Sequence, residues 1–189
     1  MARRRRYIRS KRMFELILGV KEGLPFATLL TVKLIIESSI ARAQRDSKVI
    51  LSDYLWMGNH VHMVLMSLCP ESCTRFYQEV QKKITDLFKK LLGLRRLNIW
   101  EGDPVLAEIL DLDVAISKIA YVYANPARAN LVDKISQYPG VSSWSAFKDV
   151  RSDVDATVSK MVPWLRLPSI EKLPCRSLSE RQDRFMYSK

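Results

Sequence analysis

A Gly58-Asn59 pair between two apolar runs predicts a tight β-hairpin in the middle of the chain. The flanking residues 49–57 and 60–67 are rich in residue types that favour strands. Glycine followed by asparagine suits a two-residue hairpin turn, because both residue types tolerate the backbone angles that such turns require. The sequence therefore predicts two antiparallel strands that are neighbours in a sheet.

Five further segments carry secondary-structure patterns. Residues 13–20 are predicted to form a strand, and residues 26–44 a helix, because apolar residues recur there at helical spacing. A second helix is predicted over residues 70–92, beginning at Pro70 and stopping at Gly93. Residues 105–109 suit a short strand after a turn at 102–104. Residues 111–124 suit a late helix with an acidic start, and Pro126 is expected to limit its length.

The order strand, helix, strand, strand, helix, strand is that of a ferredoxin-like α+β sandwich, in which helices pack on one face of an antiparallel sheet. The strand at residues 60–67 would be central in that sheet. We assign residues 13–147 of the 189-residue chain to this domain and residues 1–12 to a basic N-terminal arm. Residues 148–189 contain three prolines among charged residues and are expected to form an irregular C-terminal extension.

The charge of the chain favours a polyanionic partner. Lysine and arginine total 31 against 20 acidic residues, which gives a net charge of +11. The arm with Arg3, Arg4, Arg5 and Arg6 is either a phosphate-binding segment or a solubilising terminus. No signal peptide is visible, and the apolar run at 24–36 is too short to span a bilayer comfortably. With an odd set of three cysteines, the protein is expected to be cytoplasmic and free of any membrane.

His60 and His62 are the only two histidines of the chain. Side chains alternate along a strand, so both imidazoles would point to one face while Val61, Met63 and Leu65 point to the other. This arrangement is that of a two-histidine metal clamp. The alternative is a pair of ordinary hydrogen-bonded histidines, and the pattern by itself leaves both interpretations open.

Tyr121 and Asn125 are four residues apart on the late helix, so their side chains emerge from nearly the same face. Tyr123 lies about 200° from Tyr121 around the helix and is expected to face away. If this helix lies across the sheet, the phenol and the amide could both reach the histidine pair. Asn125 would then complete three protein ligands and leave positions for a phosphate oxygen and water.

These motifs resemble those of the REP-associated tyrosine transposases, which are single-tyrosine HUH transposases. Three stretches within residues 12–147 carry the resemblance: MGNHVH at 57–62, YVYANPARANLV at 121–132 and YPGVSSW at 138–144. The chain departs from the family at Gly58, where proline is usual, and at Asn130, where glycine is usual. Both are turn-compatible replacements, since asparagine tolerates left-handed backbone angles.

The resemblance implies that His60, His62 and Asn125 bind a magnesium or manganese ion and that Tyr121 is the nucleophile. It implies cleavage of single-stranded DNA near hairpins through a 5′-phosphotyrosine intermediate, followed by strand transfer. Ligand softness alone would equally accommodate zinc or manganese at two imidazoles. A homodimer and a monomer are equally compatible with the sequence.

Other features have two interpretations. Lys82, Lys83, Lys89 and Lys90 could form a track for single-stranded DNA or simply a solvated helix face. Cys69 and Cys73, also four residues apart, could join the histidines in a small structural zinc protein. A DNA-binding protein that keeps the fold but no longer cleaves is the remaining alternative.

Overall fold

The computed structural model describes residues 12–21, 29–67 and 69–144. In this part of the chain four antiparallel strands form a sheet in the order β2-β3-β1-β4. The strands are β1 (Arg12–Val20), β2 (Ile50–Trp56), β3 (His60–Ser67) and β4 (Trp100–Ile109). With the helices between them, they give the β-α-β-β-α-β order of the ferredoxin-like fold. The predicted α+β class and the central position of β3 are confirmed.

The hairpin between β2 and β3 also forms as predicted. Its connection is closed by a hydrogen bond of 2.8 Å from the Met57 amide to the His60 carbonyl. Gly58 needs no left-handed backbone angle, whereas Asn130, the other departure from the family pattern, adopts a left-handed φ of 54°. Asparagine at position 130 is therefore compatible with the conformation found there.

Side-chain alternation divides the core between the two faces of the sheet. On one face, Leu16 and Met63 pack beneath the helices α1 (Leu30–Ser47) and α2 (Pro70–Leu92), which contribute residues such as Ile36 and Phe76. Each of these side chains is fully buried and contributes roughly 1.5–3 kcal/mol through the hydrophobic effect. The helix predicted over residues 70–92 is found with those limits, and Gly93 closes it with a left-handed φ of 66°.

The opposite face of the sheet is covered by α3 (Leu112–Arg128). Ala115 and Val122 of this helix pack with Met13, Val64 and Ile109 of three strands. Val61 and Met63 of β3 belong to the first face. Since side chains alternate along a strand, His60 and His62 point to the opposite face, toward α3. The sheet therefore presents its histidine pair to the late helix, as the alternation predicted.

The limits of α1 differ from the prediction of residues 26–44. Leu29 is extended, with φ −75° and ψ 130°, so the helix starts after it, while residues 26–28 lie outside the described ranges. The helix ends later than predicted, at Ser47. The next residue, Lys48, terminates it with a left-handed φ of 59°. A lysine in that conformation carries no sequence signal comparable to a terminal glycine.

The last helix continues beyond the limit expected at Pro126. A proline inside a helix removes the hydrogen bond that its own N–H would have donated, but the residues after it can still donate. The Ala129 amide donates to the Asn125 carbonyl at 2.9 Å, and the helix runs to Arg128. The predicted end at residue 124 was therefore too early, and Asn125 lies within the helix, one turn beyond Tyr121.

β4 spans the 10 residues Trp100–Ile109, twice the length of the strand predicted over residues 105–109. Its pairing with β1 shifts from Ile17 opposite Val105 to Gly19 opposite Glu101, so residues 102–104 bulge out of the ladder. Gly102 supplies a left-handed φ of 65° in this bulge. The predicted turn is thus a bulge within an edge strand, where a proline without an N–H is tolerated.

The bulge leads to a prediction about Gly19. A Cβ atom at this position would lie 2.5 Å from the Glu101 carbonyl oxygen, whereas a Cβ at Gly58 would meet nothing within 4 Å. Gly19→Ala is expected to destabilise the protein by about 1–3 kcal/mol, because the β1–β4 ladder must shift to admit the methyl group. Thermal unfolding measures the effect, and Gly58→Ala is the matched control with little expected change. Equal stability of the two variants would contradict the close approach.

Residues 138–144 close the outer edge of β2 and bring a polar side chain onto α3. The Trp56 amide donates to the Val141 carbonyl at 2.8 Å, and the Ser143 amide donates to the Tyr54 carbonyl at 2.9 Å. The Tyr138 hydroxyl donates to the Trp56 carbonyl at 2.6 Å. This segment therefore fixes the position of Ser143 beside the C-terminal half of α3.

Within the described ranges, no helix combines the length and apolar character that a bilayer span requires.

Candidate active site

The His60 and His62 rings lie side by side on the α3 face of β3. Their centroids are 4.8 Å apart and their planes are nearly perpendicular, at 82°. Each ring uses Nδ1 in a hydrogen bond: His60 Nδ1 lies 2.6 Å from Asn59 Oδ1, and His62 Nδ1 lies 3.1 Å from Glu15 Oε1. Since the described residues give neither Nε2 a hydrogen-bond partner, both remain available as ligand atoms.

Glu15 lies on β1 and is almost completely buried. Its Oε1 faces His62, and its Oε2 accepts a hydrogen bond of 2.7 Å from Lys118 Nζ on α3. The hydrogen bond from His62 is the main reason that the pKa of Glu15 lies below its ordinary value of 4.5. Burial opposes this shift, and the hydrogen bond and charge of Lys118 add to it. One ionised carboxylate therefore joins the histidine strand to the tyrosine helix.

Tyr121 stands beside the histidine pair. Its ring centroid is 5.9 Å from that of His62, in an edge-on arrangement of 85°, and the residue is 41% exposed. Two cations flank the ring: Lys118 Nζ at 5.9 Å and Arg128 Cζ at 5.4 Å from its centroid. A phenol placed in this way is open to a bulky substrate and has two positively charged side chains beside its ring.

Tyr123 points to a different part of the structure. It is only 8% exposed, and its hydroxyl lies 2.8 Å from Asp53 Oδ1, to which it donates, and 2.8 Å from Ser143 Oγ. Its ring also packs edge-on against Trp144. The two tyrosines of the helix therefore separate as the helical angle predicted, with Tyr121 at the histidines and Tyr123 in a buried polar network.

Asn125 lies one turn beyond Tyr121 and is buried, with 9% exposure. No described residue offers a hydrogen-bond partner to its Nδ2 atom. The two ends of an amide side chain differ little in shape, so a flip would present a carbonyl oxygen where no protein donor competes for it. An amide oxygen in such a position suits a hard divalent cation.

By donor type, the two imidazoles and the amide of Asn125 suit a divalent metal ion. Burial lowers the pKa of His60 below its ordinary 6.5, and the neighbouring His62 acts in the same direction. A neutral imidazole at physiological pH is what metal ligation requires. Within the described residues, no group of three or more His, Cys, Asp or Glu side chains is arranged to hold a metal. The site would depend on two imidazoles and an amide.

The basic side chains singled out from the sequence lie elsewhere. Lys82, Lys83, Lys89 and Lys90 belong to α2, on the face of the sheet opposite Tyr121. Lys83 pairs with Glu79 at 3.0 Å and with Asp46 at 3.5 Å, and Lys89 pairs with Asp86 at 2.7 Å. Arg3, Arg4, Arg5 and Arg6 lie outside the described residues. A role for either group in DNA binding stays a prediction.

The cysteines do not share a site with the histidines. Cys73 belongs to α2 and is buried in the core on the α1–α2 face of the sheet, and Cys69 Sγ lies 2.7 Å from Ser72 Oγ. The histidines occupy the other face of the sheet, so the zinc arrangement considered from the sequence does not form.

The Cys69→Ser, Cys73→Ala double variant is expected to keep the metal affinity of the parent protein, because neither thiol reaches the imidazoles. Isothermal titration with Mn²⁺ and Zn²⁺ checks this expectation. Loss of metal binding in a folded double variant would restore the zinc hypothesis.

The described fold and site define an α+β protein with a histidine pair facing an exposed helical tyrosine. No family profile and no curated protein matches the chain. Among solved structures, the chain is similar to a REP-associated tyrosine transposase bound to a REP hairpin, with a TM-score of 0.63 and 19% identity over 82% of this chain and 90% of the other. It also matches a candidate transposase from Deinococcus radiodurans R1, with a TM-score of 0.42 and 14% identity over 69% of this chain and 98% of the other. The first comparison shows a shared fold across most of both chains.

Sequence reasoning missed the residues that surround the site. Glu15 is the only acidic residue of β1, which was a usable signal, because a lone carboxylate in an apolar strand needs a partner when it is buried. Lys118 and Arg128 share the Tyr121 flank of α3, which helical spacing alone could have indicated. Their contact with the tyrosine ring depends on where the helix lies, which the sequence does not specify.

Proposed function

We propose that this protein is a metal-dependent endonuclease and strand transferase for single-stranded DNA, an HUH transposase with a single catalytic tyrosine. The observation that carries the proposal is the convergence of the exposed Tyr121 ring on His62, while Tyr123 is buried in another network. The buried environment of Tyr123 is typical of a tyrosine with a structural role. An exposed phenol beside two ligand-competent imidazoles and two cations is instead suited to chemistry on a phosphate.

In the proposed reaction, the Tyr121 oxygen forms a bond to the phosphorus of a DNA phosphodiester. The bond from phosphorus to the 3′ oxygen breaks. The downstream fragment stays linked to Tyr121 through its 5′ phosphate, and the upstream fragment of the same strand leaves with a 3′-hydroxyl. The phenol proton passes to water or to a non-bridging phosphate oxygen at the open side of the ring, and the leaving 3′ oxygen takes up a proton from water. Attack of another 3′-hydroxyl on the phosphotyrosine then reverses the step and joins two strands.

The chain's own residues have distinct tasks in this scheme. Lys118 and Arg128 stabilise the phosphate near the Tyr121 ring, because both bring positive charge within 6 Å of its centroid. His60, His62 and Asn125 would hold magnesium or manganese. When bound, that ion neutralises charge on a non-bridging phosphate oxygen. The Tyr121 ring lies beside the histidine pair within one chain, which supports a site built from a single subunit.

Hairpin DNA is the proposed substrate. The similar transposase was solved with a REP hairpin, and the net charge of +11 favours a polyanion. Because a flanking single strand bends toward a protein site more easily than a stiff duplex does, we place the cleaved bond beside the hairpin.

A hairpin oligonucleotide with single-stranded flanks and a different fluorophore at each end tests this function. With Mg²⁺ or Mn²⁺, the 3′-labelled fragment should become linked to protein, and the 5′-labelled fragment should be released with a 3′-hydroxyl. Chelation of the metal should abolish both products. Linkage of the 5′-labelled fragment would contradict the proposed polarity. Salt-sensitive binding of hairpins without any cleavage would instead support the non-cleaving DNA-binding alternative.

A further inference from the structure

The carboxylate of Glu15 makes two hydrogen bonds that join three elements of the fold. Oε1 lies 3.1 Å from His62 Nδ1 on β3, and Oε2 lies 2.7 Å from Lys118 Nζ on α3. Glu15 and His62 are both buried, so their contact is shielded from bulk water, whereas the Lys118 side chain is partly exposed. The carboxylate therefore lies behind the imidazole, on the side away from its free Nε2 atom.

This arrangement selects one tautomer of His62. An ionised carboxylate only accepts hydrogen bonds, so the His62 nitrogen that faces it must carry the proton. With the proton on Nδ1, the Nε2 atom keeps its lone pair. A histidine can bind a metal only through a nitrogen that has such a lone pair, and a partner on the other nitrogen fixes both the tautomer and the ring orientation.

Lys118 explains why this position requires a glutamate rather than a glutamine. A glutamine would have to place its carbonyl oxygen toward one partner and its NH₂ group toward the other. The Lys118 ammonium donates only, so the oxygen would turn to Lys118 and the NH₂ group to His62. The NH₂ group would then need an acceptor at Nδ1, and the His62 proton would move to Nε2, where it blocks metal binding.

We propose that Glu15 is a positioning residue that holds His62 in the Nδ1–H tautomer and that, through Lys118, couples this ligand to the helix carrying Tyr121. The inference rests on the proposed function in assigning a cation to His62. Its core, the tautomer set by the carboxylate, is a property of the metal-free protein and can be measured independently.

Nitrogen-15 NMR of histidine-labelled protein reads the tautomer directly. The chain has two histidines, so a His60→Gln variant assigns both sets of signals. The metal-free parent protein should show His62 protonated at Nδ1, and Glu15→Gln should shift the proton to Nε2. A parent protein with His62 protonated at Nε2 would overturn the proposal whether or not any metal binds.

Metal titration gives the second measurement. Glu15→Gln is expected to weaken Mn²⁺ binding by about 10–100-fold, as losses of such supporting partners usually do. Lys118→Met keeps most of the length of the unbranched side chain but removes the donor, and alone should change Mn²⁺ affinity only a few-fold. In the Glu15→Gln, Lys118→Met double variant the amide is free to turn its oxygen to His62. Mn²⁺ affinity should therefore recover toward that of Lys118→Met.

The rescue separates a tautomer effect from general damage to the site. A purely structural role of Glu15 predicts that the second substitution adds further loss, so an additive or worse double variant would overturn the proposal. Glu15→Gln with unchanged affinity and an unchanged His62 tautomer would also overturn it. If the parent protein bound no Mn²⁺, the proposed function would fail, while the NMR result would still decide the role of Glu15. Thermal unfolding of each variant verifies that the measurements compare folded proteins.

Discussion

Tyr121→Phe is expected to abolish both the covalent protein–DNA adduct and the nicked product, whereas Tyr123→Phe keeps both. Removing the Tyr121 hydroxyl deletes the only atom of that side chain that can bond to phosphorus. The Tyr123 hydroxyl lies 2.8 Å from Asp53 Oδ1 and is buried, so it cannot reach a DNA strand in this conformation. Adduct formation on a labelled hairpin in Mn²⁺ measures the difference.

The stability of the same two variants should show the reverse pattern. Tyr121 is 41% exposed, and Tyr121→Phe is expected to leave thermal unfolding nearly unchanged. Tyr123→Phe removes a buried hydroxyl that lies near two polar partners, and should cost about 1–3 kcal/mol. Each tyrosine is thus the matched control for the other. An adduct that survives Tyr121→Phe but disappears with Tyr123→Phe would show that the roles of the two tyrosines have been exchanged.

His60→Ala should lower Mn²⁺ affinity by at least about 100-fold and reduce cleavage to background, because one of three protein ligands is lost. His60 is the better test of the two histidines, since its ring is only partly buried and contacts a neighbouring loop residue. Removing His62 would also leave Oε1 of the buried Glu15 without its hydrogen-bond partner, with Lys118 alone on Oε2. Isothermal titration measures the affinity, and hairpin cleavage measures the activity.

Binding of hairpin DNA by His60→Ala is expected to persist, because phosphate contacts from lysine and arginine do not need the metal. The Cys69→Ser, Cys73→Ala variant serves as the control that changes two potential ligands outside the site. Full cleavage by His60→Ala, or by the parent protein in excess chelator, would contradict a metal-dependent reaction.

Local signals determined the parts of the fold that the sequence predicted well. The limits of α2 at Pro70 and Gly93 depend on residues that act within their own turn. The β2–β3 hairpin joins two neighbouring runs of strand-forming residues. The separation of Tyr121 from Tyr123 follows from helical geometry alone. These features could be predicted without knowing which elements of the fold contact each other.

The features that were missed depend on contacts between distant elements. The 102–104 bulge belongs to a strand whose pairing with β1 no local pattern reveals, so it looked like an ordinary turn. Glu15 meets His62 and Lys118 across 47 and 103 residues of chain. The helix continues past Pro126, where the Ala129 amide still finds an acceptor at the Asn125 carbonyl. Sequence reasoning could name the chemistry of the site but not the residues that support it.

The most direct test of the account is the identity of the residue that becomes linked to DNA. Trypsin cleaves after Lys118 and Arg128, so residues 119–128 form one peptide that contains both tyrosines of α3. After digestion of the trapped adduct with nuclease and trypsin, fragmentation mass spectrometry should place the nucleotide-phosphate mass on Tyr121. The same mass on Tyr123, or on a residue outside this peptide, would contradict the proposed active site.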